Sequence, residues 1–244
     1  ALPLAIYTHL GLAHAGVHLD NVAFAALQTS RGCQDKCTYC HISLEKLQSD
    51  VLGDLGFLRG FSAERVGQDV QRAVDLGLSR LYFEDDNLFY NKRRLAELAP
   101  FLKHDGLSYS NLSGANLRFL LKKDSNGASV VDDDFIELLA DFGLSEFSLP
   151  FESRNSDIMV KYASGKYNPD SMDSVAIVRA LKKTGMRLAG GFMIGFKDET
   201  WESVLRTKEF ARELIAEGVD SVGFMIPTPY PGTVDFEELM QNNS

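Results

Sequence analysis

Cys33-Gln34-Asp35-Lys36-Cys37-Thr38-Tyr39-Cys40 holds all three cysteines of a 244-residue chain. Thiolates gathered in one short loop read as a metal site. A cubic four-iron, four-sulfur cluster is ordinarily held by four of them, and this chain supplies three. If such a cluster is bound, one iron keeps a coordination position for a ligand from outside the protein, which makes a reactive centre rather than an electron relay. Other readings use the same residues. Cys37-Thr38-Tyr39-Cys40-His41 spells CxxCH, the attachment signature of a c-type haem, and leaves Cys33 without a role. Three cysteines and His41 would complete a closed Cys3His zinc site, although nine consecutive residues crowd a tetrahedron. A disulfide with one cysteine left over would need an oxidising compartment, which nothing else in the sequence suggests.

Outward from that loop the chain alternates. Five times a helix-like segment runs into glycine, an apolar residue and a strand-like run, at Gly77-Leu78, Gly106-Leu107, Gly143-Leu144, Gly185-Met186 and Gly218-Val219. Glycine just past a helix end takes the left-handed conformation that stops it. The helical segments repeat apolar residues on one face: Val66, Val70, Ala73 and Val74; Leu95, Leu98, Ala99 and Leu102; Phe135, Leu138, Leu139 and Phe142; Ile177, Ala180 and Leu181; Trp201, Val204 and Leu205. All are read as core. Short apolar runs lie between them, at Val22 to Leu27, Arg80 to Phe83, Leu107 to Ser110, Glu146 to Phe151, Leu188 to Ile194 and Ser221 to Ile226. Unbroken hydrophobicity is the mark of strands covered on both faces, and alternation with helices implies a parallel sheet. An open doubly wound sheet and a partial barrel both satisfy that pattern.

Composition narrows the function. With 45% hydrophobic residues the chain has material for one large core, and no stretch approaches the ~20 apolar residues of a membrane span. A net charge of -9 argues against nucleic acid as a partner. Opening on Ala1 rather than methionine sets the expectation of a segment cut from a longer protein.

Cys-x3-Cys-x2-Cys with Tyr39 before the last cysteine resembles the signature of the radical S-adenosylmethionine (radical SAM) superfamily. The resemblance spans Val22 to Thr233. It implies an α/β fold, a six-stranded parallel partial (β/α)6 TIM-like barrel, with the cysteine loop after the first strand. It implies Cys33, Cys37 and Cys40 as ligands of a 4Fe-4S cluster and S-adenosylmethionine on the remaining iron. The implied reaction is reductive cleavage of S-adenosylmethionine to a 5'-deoxyadenosyl radical that abstracts hydrogen. In a parallel barrel the working residues stand at the carboxyl ends of strands. Phe83-Glu84-Asp85-Asp86-Asn87 resembles the family's second-strand motif without its two glycines, and Glu84 or Asp85 is expected to meet the S-adenosylmethionine amine. The bland alternative is a polar helix cap.

Further strand-end residues complete the expected cofactor site: Tyr39, Asn111 and Arg118 of Asn111-Leu112-Ser113-Gly114-Ala115-Asn116-Leu117-Arg118, and Glu152 and Arg154 of Pro150-Phe151-Glu152-Ser153-Arg154. A carboxylate and a guanidinium suit a ribose diol and a carboxylate, with a surface ion pair as the plain alternative. Lys161-Tyr162-Ala163-Ser164-Gly165-Lys166 resembles a lysine-glycine segment of the family. Gly195, in Gly190-Gly191-Phe192-Met193-Ile194-Gly195-Phe196, resembles an adenine-contacting motif and not a phosphate loop. Pro227, in Pro227-Thr228-Pro229-Tyr230-Pro231-Gly232-Thr233, resembles an ending common in the cobalamin-dependent subgroup. His14 and His18, four apart, are read as loop residues rather than metal ligands.

The expected organisation is a lead-in over residues 1–20, coming from an upstream cobalamin-binding domain, and a radical SAM core over residues 21–244. The cobalamin motif Asp-x-His-x-x-Gly is absent from the chain. First choice of function is cobalamin-dependent methylation of a small metabolite. A methylthiotransferase or radical cyclase comes second, and a zinc-stapled binding module without catalysis is the reading from another class. Expected partners are a small-molecule substrate and a reductant such as a flavodoxin or ferredoxin, in the cytoplasm. No residue is singled out as catalytic.

Overall fold

The computed structural model describes residues 23–111 and 115–242. His14, His18 and the lead-in therefore lie outside the described residues. The strands are β1 (Phe24–Leu27), β2 (Ser30–Arg31), β3 (Arg59–Gly60), β4 (Arg80–Phe83), β5 (Ser108–Asn111), β6 (Leu121–Lys123), β7 (Ser129–Val131), β8 (Leu144–Glu152), β9 (Arg187–Met193) and β10 (Ser221–Met225). The helices are α1 (His41–Leu47), α2 (Ser49–Leu52), α3 (Ala63–Asp75), α4 (Lys92–Leu102), α5 (Asp133–Asp141), α6 (Ser156–Tyr162), α7 (Ser174–Lys183), α8 (Trp201–Ala216) and α9 (Val234–Asn242).

Six of the strands form one parallel sheet in the order β1-β4-β5-β8-β9-β10. That order never reverses along the chain, whereas a doubly wound sheet must turn back at a switch point. Each crossover therefore adds its strand on the same side, and the sheet curls as a partial barrel whose ends, β1 and β10, do not pair. The two-stranded ladders β2-β3 and β6-β7 are inserted after β1 and β5.

All five helix-to-strand glycines, Gly77, Gly106, Gly143, Gly185 and Gly218, have φ between 73° and 115°. A side chain is strained there, which explains why the turn recurs with glycine. Side chains at the opposite helix ends cap the first turn: Ser62 accepts from the Arg65 amide, Asn91 from Arg94 and Asp173 from Ala176. Between sheet and helices lies an aromatic core, with Phe83 stacked on Tyr109 at 5.1 Å and Phe151 on Phe192 at 5.6 Å.

One expected core stripe is wrong in phase. Trp201 is 74% exposed and Leu205 39%, and α8 instead buries Ser203, Thr207, Phe210, Ala211 and Leu214. Ser203 accepts from the Asn155 amide group at 3.1 Å, and Thr207 Oγ1 accepts from the Arg154 backbone N–H at 3.1 Å. Two hydroxyls on the buried face hide it from a hydropathy pattern.

Candidate functional site

β1 and β4 are parallel neighbours with Leu27 opposite Phe83, so the segments that follow them start side by side. Asp85, fully buried, accepts from Thr29 N at 3.0 Å, Thr29 Oγ1 at 2.7 Å and Ser30 Oγ at 2.5 Å. Burial raises the Asp85 carboxyl pKa against the lowering pull of those donors. Asp86 Oδ2 accepts from Gly32 N at 2.7 Å. Gly32 has φ 79°, and a Cβ there would stand 2.2 Å from the Phe57 carbonyl oxygen. Glycine is thus the residue that lets the chain pass into the cysteine loop.

Other elements hold that loop open. Lys46 Nζ, from α1, donates to the carbonyl oxygens of Cys33, at 2.8 Å, and of Asp35. Thr38 N donates to Tyr162 O at 2.9 Å, and Asp235 N, from α9, donates to Thr38 O at 3.2 Å. The three thiols are free and face one cavity of about 240 Å³, lined also by Tyr39, Asp86, Asn87, Asn116 and Lys166. Burial pushes the Cys37 thiol up to about 11 and raises those of Cys33 and Cys40 as well.

The structure distributes the expected site residues unevenly. Tyr39 reaches the cavity, where its hydroxyl donates to Glu152 Oε1 at 3.3 Å and burial raises its pKa. Glu152 ends β8 at φ 59°, rare for a residue with a side chain, and accepts from Lys166 Nζ at 2.6 Å. Burial works against the Lys166 charge, but the Glu152 carboxylate and the Cys37 sulfur outweigh it and raise its pKa. Asn111 is fully buried at the end of β5, with both amide atoms unpartnered among the described residues.

Glu84 and Asp85 do not line the cavity. Asp85 is turned back into the wall, and it is Asp86 and Asn87, next in the chain, that face the thiols. Arg118 Nη2 is paired with Asp35 Oδ1 at 3.1 Å. Arg154 pairs with Asp170 at 2.7 Å and opens onto a separate groove of about 710 Å³, beside Glu209 and Phe210, that contains no cysteine. Gly195, at φ 90°, donates its N–H to Glu199 Oε2 at 2.6 Å, and Pro227 lies beyond β10; neither lines the cysteine cavity. Sequence reasoning passed over Asp35, Asp86, Asn87, Asn116 and Lys166 as site residues. All five stood inside quoted motifs, but nothing in those motifs singled out Asp35 and Asn116, whose contact joins residues 81 positions apart.

The cavity fits a polyatomic group. Among the described residues no three His, Cys, Asp or Glu side chains are gathered tightly enough to share one metal ion. His41 also lines the cavity, but it is 63% exposed and its Nε2 lies 3.9 Å from Glu45 Oε1, so it is not buried with the thiols as a closed structural site would have it. Asn87, 2% exposed, leaves Oδ1 without a partner among the described residues while its Nδ2 points at Cys33 Sγ, 3.8 Å away. An unpaired acceptor buried beside three thiols costs free energy unless something donates to it.

Comparison with known proteins gives concordant results. The sequence model described as Radical SAM superfamily matches residues 27–211. An uncharacterized methyltransferase of Pyrococcus horikoshii is 30% identical over 92% of this chain and 44% of its own length. Bacteriochlorophyllide d C-12(1)-methyltransferase of Chlorobaculum tepidum is 27% identical over 66% of this chain and 31% of its own. The structure of a radical S-adenosylmethionine methyltransferase from Kitasatospora setae, with cobalamin and a [4Fe-4S] cluster bound, superposes with a TM-score of 0.64 at 16% identity. It covers 94% of this chain and 43% of that one, a likeness of fold. The chain thus spans less than half the length of these relatives.

Proposed function

The chain belongs to the radical SAM superfamily, and from that premise we propose that it is the core of a cobalamin-dependent methyltransferase acting on a small molecule. The observation that carries the reading is the convergence of three free thiols, and no fourth, on one cavity with an unpartnered amide oxygen. Cys33, Cys37 and Cys40 are the proposed ligands of a 4Fe-4S cluster, whose chemistry when bound is one-electron reduction of S-adenosylmethionine with cleavage of a carbon-sulfur bond.

The protein's own part is holding and shielding. Asn87 Oδ1 offers an acceptor to an ammonium, and Lys166 offers a buried cation to a carboxylate. Tyr39, kept as a phenol by burial, closes the wall with Phe196, their ring centroids 6.1 Å apart. Glu152 acts through Lys166 and Tyr39, fixing both. The lead-in over residues 1–20 and the cobalamin are proposed to belong with an upstream domain, in keeping with relatives named as methyltransferases of which this chain spans 44% and 31%. The relatives named as methyltransferases favour methyl transfer. The electron donor is proposed to be a small redox protein such as a flavodoxin or ferredoxin. No helix among the described residues is long and apolar enough to cross a membrane.

Anaerobic reconstitution tests this. Wild-type protein is expected to hold about four irons and four sulfides per chain and to release 5'-deoxyadenosine from S-adenosylmethionine under strong reductant, while Cys37→Ala loses both. Stoichiometric zinc in place of iron would overturn the reading in favour of a binding module. A substrate gaining a methylthio group would move it to the methylthiotransferases.

A further inference from the structure

Between the first two cysteines stands a carboxylate that the chain has gone to some length to hold. Asp35 is 8% exposed and lies on the cavity wall. Its Oδ1 accepts from Arg118 Nη2 at 3.1 Å and its Oδ2 from Asn116 Nδ2 at 3.0 Å. Both partners are more than eighty residues away, in the segment after β5. Asn116 Oδ1 in turn accepts from the Arg118 backbone N–H at 3.2 Å, which locks the two donors to one another. On its other side Asp35 meets the first cysteine, with its backbone N–H 3.4 Å from Cys33 Sγ and its Oδ2 3.9 Å from the same sulfur.

Resting on the reading of the three cysteines as cluster ligands, we propose that the pair of buried Asp35 and half-buried Arg118, bridged by Asn116, positions the Cys33–Cys37 span and sets the reduction potential of the cluster on it. The physical reason is that cluster potentials follow local charge and hydrogen bonding at the sulfurs. Reduction adds one negative charge, which a nearby cation favours and a nearby anion opposes. Paired, the two charges nearly cancel at the cavity. The Asp35 carboxylate is close enough to act electrostatically on the loop sulfurs, its Oδ2 lying 3.9 Å from Cys33 Sγ. Lys46 and Lys166 supply the cations on the other sides of the loop, and Glu152 and Asp86 the remaining anions. Arg118 is then a positioning residue and not a direct contact of S-adenosylmethionine.

The test is EPR-monitored potentiometry on reconstituted protein, with iron content measured on each sample. Arg118→Gln leaves the carboxylate uncompensated and is expected to shift the potential negative. Asp35→Asn, which keeps the amide-sized shape, leaves the guanidinium uncompensated and is expected to shift it positive. The double variant falls between the two, and Arg118→Lys stays near wild type. A purely structural tie would lower iron content in both single variants without opposite shifts, and shifts of one sign, or none, at equal iron content overturn the proposal. Should Arg118→Gln take up no iron, Asp35→Asn against Arg118→Lys decides by the same sign. Wild-type protein that takes up no iron sinks the functional reading itself, whereas loaded wild type with unresponsive variants sinks only this one.

Discussion

Glu152 sits where a strand stops being a strand. Its φ of 59° breaks the two-residue alternation of β8, so the carboxylate turns toward Tyr39 and Lys166 while Arg154, two residues on, is carried to the outer groove. Period alone would have kept residues 152 and 154 on one side, which is why the sequence suggested a joint role that the backbone does not permit. The Glu152–Lys166 pair is 7% and 15% exposed. Removing one partner of such a pair strands a buried charge and costs about 3–5 kcal/mol. Glu152→Gln is therefore expected to lower the urea midpoint of the metal-free protein sharply, and Glu152→Gln with Lys166→Met together to recover much of the loss. A double variant as unstable as the sum of the singles would remove the coupling. The pH dependence has a defined sign. Lys166 has a folded pKa above its ordinary 10.5, so the pair's stabilisation is whole below that value and fades as pH climbs through the raised one. The double variant should lose less stability over that alkaline range than wild type. The carboxylate at the strand end and the segment holding Lys166 were both visible in the sequence; that the two pair, across α6, was not.

At the level of elements, the cysteine loop is hung from the end of β1 by a carboxylate two residues past the end of β4. Asp85 serves three donors of Thr29 and Ser30, none of which has water as a substitute at 0% exposure. Each buried donor left without an acceptor costs about 1–3 kcal/mol. Asp85→Ala should thus destabilise the metal-free protein by several such increments and cut iron uptake on reconstitution. Asp85→Asn, still an acceptor, should do less of both. Equal stability of Asp85→Ala and wild type in urea would show that the loop does not depend on this anchor. What could be read in advance at this scale was the punctuation. Five glycines with positive φ fall where helix turns to strand, and the strand Arg80–Phe83 has its expected bounds. The ladders Ser30–Arg31 with Arg59–Gly60 and Leu121–Lys123 with Ser129–Val131 were not legible, because two or three residues carry no period. Among the three carboxylates of the second strand end, no pattern distinguished the anchor from the cavity-facing Asp86, since that choice is made by a partner fifty-odd residues away.

At the scale of the fold, a sheet whose strand order follows chain order has, among the described residues, two edge strands, β1 and β10, and a middle packed on both sides. Local sequence could supply six parallel strands, yet the choice between barrel and doubly wound sheet is a matter of which strands become neighbours, and that came with the cysteine signature rather than with hydropathy. The asymmetry between middle and end has a measurable consequence. β8 and β9 carry Phe147, Leu149, Phe151, Leu188 and Phe192, each at most 1% exposed. Among the described residues β10 pairs with β9 alone, and Phe224, Met225 and the following Ile226 are 42%, 55% and 71% exposed. Opening of a segment with few buried apolar contacts needs little more than its own hydrogen bonds to break, whereas a central strand opens with the whole core. Amide hydrogen exchange should therefore place β8 and β9 in the slowest class, near the global unfolding free energy, and β10 several orders of magnitude faster. Protection of β10 equal to that of β9 would mean that its open face is covered in solution, and the ranking of strands drawn from burial would fail.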